Sequence, residues 1–454
     1  MIKLSHRNKA IIDSSKEETI IIKTHRRLIY PENYGCTANK FDLEIMLAHL
    51  IKAGYQIVNE PEKADILLIN TCGVKTPTED KILHRIKKLS QLNKPFIITG
   101  CLPKIDLPAI RRVAPPHTII LDPYSINKIL KAVECIDKGE LNKIFFSNKP
   151  IIKLLEPKIR LNRFVEIVQI AEGCAGACSF CCVKFARGRL FSYPADLIVE
   201  KVKRAVSEGV REIWLTSQDN GAYGLDIGSD LAELLQKICI VNGRFMIRVG
   251  MMNPAHVDRM LDRLIDAYKN NKIFKFLHLP LQSGDDNVLR KMNRHYSVDD
   301  FKRIVDSFRR SIPEITLMTD VICGFPTESA EAFQRTLDLI EEIEPDIVNI
   351  SKFFPRPGTP AERMGRIPTR EVKERSRRLT ELVRRISLKR NMSWIGWEGW
   401  VIIDEKGRGD SWMGRNYAYK PIVIRDQRKL LGRFVYVRVV EAHENYLEAK
   451  IIKE

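Results

Sequence analysis

The sequence predicts a three-part α/β chain: an open parallel α/β domain, a partial (β/α)6 barrel and a small antiparallel β-barrel. Three observations carry this expectation. Short apolar runs alternate with helical patterns from residue 27 to 137, the alternation returns over residues 164–351, and residues 393–454 turn to short β-rich runs divided by turn residues. Strands alternating with helices imply parallel sheets, and evenly spaced short strands imply a sandwich or barrel. A chain of 454 residues has room for about three domains. The expected boundaries are a polar arm at 1–23, the first domain at 24–137, a charged linker at 138–163, the partial barrel at 164–368, a basic helix at 369–391 and the terminal barrel at 392–454.

In the first domain, strands are expected at 28–30, 66–70 and 96–99, with helices at 39–52, stopped by Gly54, and at 78–91. Pro31, Glu32 and Asn33 are expected to interrupt the first strand. The barrel block offers six strands, at 164–170, 212–216, 245–249, 274–279, 315–322 and 347–351, and the Pro- and Gly-rich stretch 355–368 closes it. Over 370–390, Val372, Leu379, Val383 and Ile386 keep one helical face apolar. Residues 365–391 carry ten Lys or Arg against three Glu. Arg377, Arg378, Arg384 and Arg385 are therefore candidates for polyanion contact, a merely solvated face being the alternative. The terminal strands are expected at 400–403, 421–424, 432–440 and 446–452; Trp412, Tyr417, Tyr419 and Tyr436 offer stacking faces or barrel core.

Composition narrows the function. Lys and Arg number 75 against 57 Asp and Glu, a net charge of +18 and a pI near 9.4, which favours a polyanionic partner. No apolar run approaches the ~18 residues of a membrane span, so a cytoplasmic protein without membrane contact is expected. Ten cysteines in so long a chain are far too few for a disulfide scaffold, and in a reducing compartment clustered cysteines point to metal or catalysis.

Cys174, Cys178 and Cys181 form a C-x3-C-x2-C string on a glycine-containing loop directly after the first barrel strand. Three thiolates on a cubane leave one iron open to bind a substrate. Structural zinc with Cys182 as fourth ligand is the alternative, although adjacent Cys181 and Cys182 side chains usually diverge. Polar clusters follow the later strands at Ser217-Gln218-Asp219-Asn220, at Met251-Met252-Asn253, at Gln282-Ser283-Gly284 and from Cys323 through Gly324 to Glu328. Active sites of such barrels gather on that edge. A second set, Cys36, Cys72 and Cys101, also follows strands, at one edge of the expected parallel sheet. Any one of them alone reads as a small buried hydrophobe, as Cys135, Cys182, Cys239 and Cys323 do.

The C-x3-C-x2-C string, with Phe180 just before its third cysteine, resembles the radical S-adenosylmethionine superfamily. Together with the Tyr-Gly-Cys36-Thr-Ala-Asn39, Asn-Thr-Cys72 and Gly-Cys101-Leu-Pro blocks and the terminal β domain, it looks like the radical methylthiotransferases from about Leu28 onward. Finer motifs resemble the archaeal and eukaryotic threonylcarbamoyladenosine tRNA branch: Leu215-Thr-Ser-Gln-Asp219, Arg248-Val-Gly-Met-Met-Asn-Pro254, Leu277-His-Leu-Pro-Leu-Gln-Ser-Gly284 and Phe354-Pro-Arg-Pro-Gly-Thr-Pro360. Asn220 stands where that branch more often has Thr.

The resemblance implies two [4Fe-4S] clusters. One, on Cys174, Cys178 and Cys181, generates a 5′-deoxyadenosyl radical from S-adenosylmethionine; the other, on Cys36, Cys72 and Cys101, carries the sulfur. It implies cofactor contacts in the loops holding Phe180, Ser217, Gln218, Gln282, Ser283, Gly324 and Glu328, with Arg248 and Asn253 as substrate candidates. It also implies an RNA-binding terminal barrel of the TRAM type. The expected partner is the anticodon stem-loop of tRNA, while the electron and sulfur donors stay unnamed. Methylthiolation of a protein side chain is the rival activity, and a tRNA-binding iron-sulfur protein without radical activity is the rival class.

Overall fold

The computed structural model describes residues 27–453, so the arm expected at 1–23 lies outside the described residues. The chain divides into two compact units: residues up to Leu161 together with Cys182–Gly188, and Asn162–Cys181 together with the residues from Arg189 onward.

The first unit is built on six parallel strands, β1 (Leu28–Asn33), β2 (Gln56–Ile57), β3 (Ile66–Thr71), β4 (Phe96–Gly100), β5 (Ile119–Leu121) and β6 (Ile144–Phe145), ordered β2-β1-β3-β4-β5-β6. Helices Thr37–Lys52 and Thr76–Ser90 are among its crossovers. Every residue of β3 and β4 is buried, as expected for central parallel strands covered on both faces. Contrary to expectation, β1 runs unbroken through Pro31, which pairs opposite Leu68. The Ile29 carbonyl accepts from Val58, so Pro31, two residues on, also turns its backbone toward β2, which has already ended at Ile57. At such an edge the missing proline N–H costs no ladder bond. The stretch expected as a linker is built in as well: β6 extends the sheet, and Lys153, 1% exposed, is ion-paired with Asp42 at 2.7 Å.

The second unit opens with six parallel strands: β7 (Val165–Gln169), β8 (Glu212–Thr216), β9 (Met246–Val249), β10 (Phe276–His278), β11 (Thr316–Cys323) and β12 (Ile347–Lys352). They form two three-stranded sheets, β9-β8-β7 and β10-β11-β12, joined by a bridge between Ile247 and Ile273. The helix Thr369–Met392 follows, with Val372, Leu379 and Ile386 buried.

The chain then closes a barrel of β13 (Glu398–Lys406), β14 (Ser411–Arg415), β15 (Pro421–Arg425), β16 (Phe434–Ala442) and β17 (Leu447–Lys453), ordered β13-β14-β15-β17-β16. The antiparallel expectation needs one correction, because β15 and β17 pair in parallel. A closed ring with an odd number of strands cannot alternate direction all the way round, so one parallel pair is unavoidable. The barrel's Ile402 and Tyr419 pack on Phe274 and Phe276, seating it against the central strands.

Candidate active site

The cysteine loop follows β7 and the short strand Ala171–Glu172. Ser179 fixes it by donating its N–H to Met292 O (3.0 Å) and its hydroxyl to Lys291 O (2.8 Å). Asn293 Nδ2 donates to Ala177 O at 2.8 Å. Phe180, expected at the cofactor, packs against the cluster of Val288, Met292 and Phe325, so its ring anchors the loop. All three sulfurs belong to half-buried residues. Gly176 donates its N–H to Cys174 Sγ at 3.2 Å, and Arg294 Nη1 donates to Cys178 Sγ at 3.2 Å. Arg294 also donates to Asn253 Oδ1 (3.0 Å) and to the Tyr296 hydroxyl (3.2 Å), which itself donates to the carbonyls of Pro280 and Leu281. One guanidinium thus ties the cysteine loop to the loops after β9 and β10.

Along the same edge, several buried polar atoms have no hydrogen-bond partner among the described residues: Gln169 Oε1, Ser217 Oγ, Gln218 Oε1, Asn220 Oδ1, Ser283 Oγ and Glu328 Oε1. Each such atom costs about 1–3 kcal/mol when left unpaired, so their concentration here fits a polar ligand of the S-adenosylmethionine kind. Gln282 adopts φ +68°, a left-handed conformation unusual for a residue with a side chain, and it bonds Asp320 O through its N–H. Gly284 is sterically required, since a Cβ there would lie 2.6 Å from the Thr336 backbone. Glu328 Oε2 accepts from Gly324 N–H and from Arg375 of the long helix, both at 2.7 Å. Burial raises its carboxyl against the pull of that arginine. Asp219 accepts from Asn253 N–H at 2.9 Å and lies 2.7 Å from His256 Nδ1. Arg248, a substrate candidate from the sequence, lies among the rings of Trp214, Phe276 and Tyr419 at 5.4–5.6 Å, in the packing seam with the terminal barrel.

In the first unit, Cys36 precedes the helix after β1, Cys72 follows β3 and Cys101 follows β4. These three strands are neighbours in the sheet, so their ends lie one strand spacing apart, about 4.8 Å each. Gly100, at φ +93°, makes the turn possible, because a Cβ there would meet Thr71 O at 2.2 Å. Cys36 Sγ and Cys101 Sγ both approach Asn39 Oδ1, at 3.9 and 3.7 Å. Asn39 Nδ2 is anchored on Thr71 O at 2.7 Å. Burial pushes the Cys72 thiol up to about 12, and the neighbouring Cys101 adds to the rise. Burial also raises Cys101, against the pull of Arg187. Arg187 Nε lies 3.4 Å from Cys101 Sγ, Nη2 donates to Asn39 Oδ1 at 2.8 Å, and Nη2 is ion-paired with Asp42 at 2.8 Å.

Each set offers three cysteine sulfurs, the donor number that suits a cubane cluster with one iron left open. Cys182, the fourth ligand of the zinc alternative, is 1% exposed and packs with Cys101, Ile105 and Ala186, its sulfur 3.3 Å from Gly73 O.

The basic helix is more neutralised than its sequence suggests. Arg377 pairs with Glu374 and Glu381, Arg384 with Glu444 and Arg385 with Glu341, while Arg378 donates to Gln334. Arg375 is buried on Glu328. In the terminal barrel, Trp412 and Tyr419 are buried, Tyr417 packs on Trp394 and Trp397, and Tyr436 lies edge-on to Trp400. Trp400 is the exposed indole, at 43%, and Arg244 stacks on it and on Phe434. A cleft of about 350 Å³ beside them is lined by Arg211, Arg244 and Arg433. Sequence reading missed Trp400, whose outward place on β13 follows only from strand register, and it gave no role to Arg187, Arg294, Asp42 or His256.

Comparison with known proteins agrees with this architecture. The description Radical SAM superfamily matches residues 168–340, Uncharacterized protein family UPF0004 matches 28–122, and TRAM domain matches 398–452. The superfamily implies S-adenosylmethionine and a [4Fe-4S] cluster. Among solved structures, the radical S-adenosylmethionine methyltransferase TsrM from Kitasatospora setae aligns with a TM-score of 0.54 at 14% identity, over 74% of this chain and 77% of that one, a likeness of fold alone. No helix among the described residues is long and apolar enough to cross a membrane. A Pyrococcus horikoshii protein named probable threonylcarbamoyladenosine tRNA methylthiotransferase is 45% identical over 427 residues, 93% of this chain and 99% of that protein. The Homo sapiens threonylcarbamoyladenosine tRNA methylthiotransferase is 35% identical over 434 residues, 94% of this chain and 74% of that protein. Identity of this depth across all three parts means that the chain belongs to the radical S-adenosylmethionine methylthiotransferase family.

Proposed function

We propose that the chain converts N6-threonylcarbamoyladenosine, 3′ of the anticodon in tRNA, to its 2-methylthio derivative, using two [4Fe-4S] clusters and S-adenosylmethionine. The observation that carries this reading is the pair of three-cysteine sets, one on the loop after β7 and the other at the ends of β1, β3 and β4, each with an N–H donor aimed at a sulfur. Cys174, Cys178 and Cys181 would hold a cluster that would supply electrons to the cofactor, and Cys36, Cys72 and Cys101 would hold one that would supply a sulfur platform. The purine C2 hydrogen is not acidic, so acid/base chemistry alone does not remove it. The protein's own part is to bind, orient and exclude water. Ser217, Gln218, Ser283 and Glu328, each with a buried polar atom unpaired among the described residues, are the proposed cofactor contacts, and Asn253, held by Asp219 and Arg294, is the proposed substrate contact.

The relatives' printed names support the choice of nucleoside. Net charge of +18 supports RNA as the polyanion. Arg377, Arg378, Arg384 and Arg385, together with the TRAM-type barrel, are the proposed contacts to the anticodon stem-loop. The test is mass analysis of nucleosides from tRNA incubated without oxygen with the reconstituted protein, cofactor, reductant and a sulfide source. Gain of one methylthio group on threonylcarbamoyladenosine is the expected result. Unchanged tRNA, with 5′-deoxyadenosine still released, contradicts the substrate; unchanged tRNA with none released contradicts the chemistry.

A further inference from the structure

We infer that Arg187 is a positioning residue for the cluster of the first unit, holding the Cys101 sulfur through an N–H···S bond and keeping that cluster's reduction potential up. The inference rests on the two-cluster reading above. Arg187 ends the short helix Val183–Arg187, six residues beyond Cys181 in sequence, and it falls in the first unit with Cys101, Asn39 and Asp42. It is 1% exposed. Its Nε faces Cys101 Sγ at 3.4 Å, while Nη2 is fixed by Asn39 at 2.8 Å and by Asp42 at 2.8 Å. Asp42 is held in turn by Lys153 at 2.7 Å. The backbone is clamped too, since the Tyr124 hydroxyl donates to the Arg187 carbonyl and the next residue, Gly188, turns at φ +68° where a Cβ would strike that hydroxyl.

A simple structural staple would aim the guanidinium's donors at oxygen, the better acceptor. Here one donor is aimed at sulfur, a weak acceptor as a thiol and a much better one as an iron-bound thiolate. A fixed positive charge and an N–H···S bond both favour the cluster state that carries one more electron, which raises the potential. The barrel loop shows the same device, with Arg294 on Cys178. Asn39 extends the frame, because its Oδ1 lies near both Cys36 and Cys101 as well as accepting from Arg187.

The experiment uses the full chain carrying Cys174→Ala, Cys178→Ala and Cys181→Ala, which leaves one cluster to observe. After anaerobic reconstitution it should hold about four iron atoms. A titanium(III) titration followed by electron paramagnetic resonance then gives the midpoint; each cluster takes one electron, titanium(III) becomes titanium(IV), and no bond breaks. Adding Arg187→Gln should move the midpoint to more negative potential with iron retained, and Arg187→Lys, which keeps the charge, should move it less. A midpoint unchanged in both variants overturns the proposal and leaves the two-cluster reading standing. If the glutamine variant fails to fold or loses its iron, the lysine variant decides: a shift from the parent supports the proposal, and identity with the parent overturns it. A parent that takes up no iron overturns the cluster reading and this proposal together.

Discussion

In the barrel loop three cysteines fall within eight residues of chain, whereas in the first unit they come from strand ends at 36, 72 and 101. The loop is positioned mainly by backbone and side-chain bonds to the segment 291–294, with a further bond from Ala361 N–H to Ser179 O, and its sulfurs stay half-buried. The first-unit set is positioned by sheet order, and its burial is graded from exposed Cys36 through Cys72 to buried Cys101. Beneath it lies a buried polar frame of Asn39, Asp42, Lys153 and Arg187. The contrast shows that a local motif needs only a pinned loop, while a non-local one draws its precision from the whole sheet and a buried ionic support. Local sites tolerate distant changes; the sheet-built site is sensitive to its frame.

The largest expected difference is catalytic. Cys178→Ala should reduce 5′-deoxyadenosine release to background, because the loop set is the proposed radical source; release at near the parent rate would dissolve the division of labour. Next comes stability. Asp42→Asn breaks a buried ion pair and should cost about 3 kcal/mol in urea unfolding, while Ser179→Ala, which removes the hydroxyl bond from the loop to Lys291 O, should cost about 1 kcal/mol. Equal costs at the two places would mean that the first-unit frame has no special weight. The smallest effect concerns RNA and touches both sets alike. Replacing Arg377, Arg378, Arg384 and Arg385 with Gln should weaken tRNA binding and flatten its salt dependence, by less than the ~0.7–0.9 per phosphate contact that four free cations would give, since three of the four are ion-paired. An unchanged slope shifts the RNA surface toward the cleft of Arg211, Arg244 and Arg433.

Much of this contrast was legible in the sequence because spacing encodes it. The C-x3-C-x2-C string places its own cysteines, and Cys36, Cys72 and Cys101 each follow an apolar run that β1, β3 and β4 realise as adjacent strands. Arg187, Asn39 and Asp42 were not legible as one group, since their meeting depends on contacts spanning up to 148 residues. Pro31 misled because edge position, not residue type, decides whether a proline breaks a strand. The pairing of Arg384 with Glu444 and of Arg385 with Glu341 likewise needs tertiary structure, so charge counted along a helix overstated the free cation surface.

The claim that the two sets do different jobs is tested most directly by Cys72→Ala in the full chain, with 5′-deoxyadenosine and methylthiolated nucleoside measured in the same anaerobic reaction. The account predicts that 5′-deoxyadenosine release persists while the methylthio product disappears. Methylthiolated adenosine at near the parent yield would contradict it and return Cys72 to a packing role.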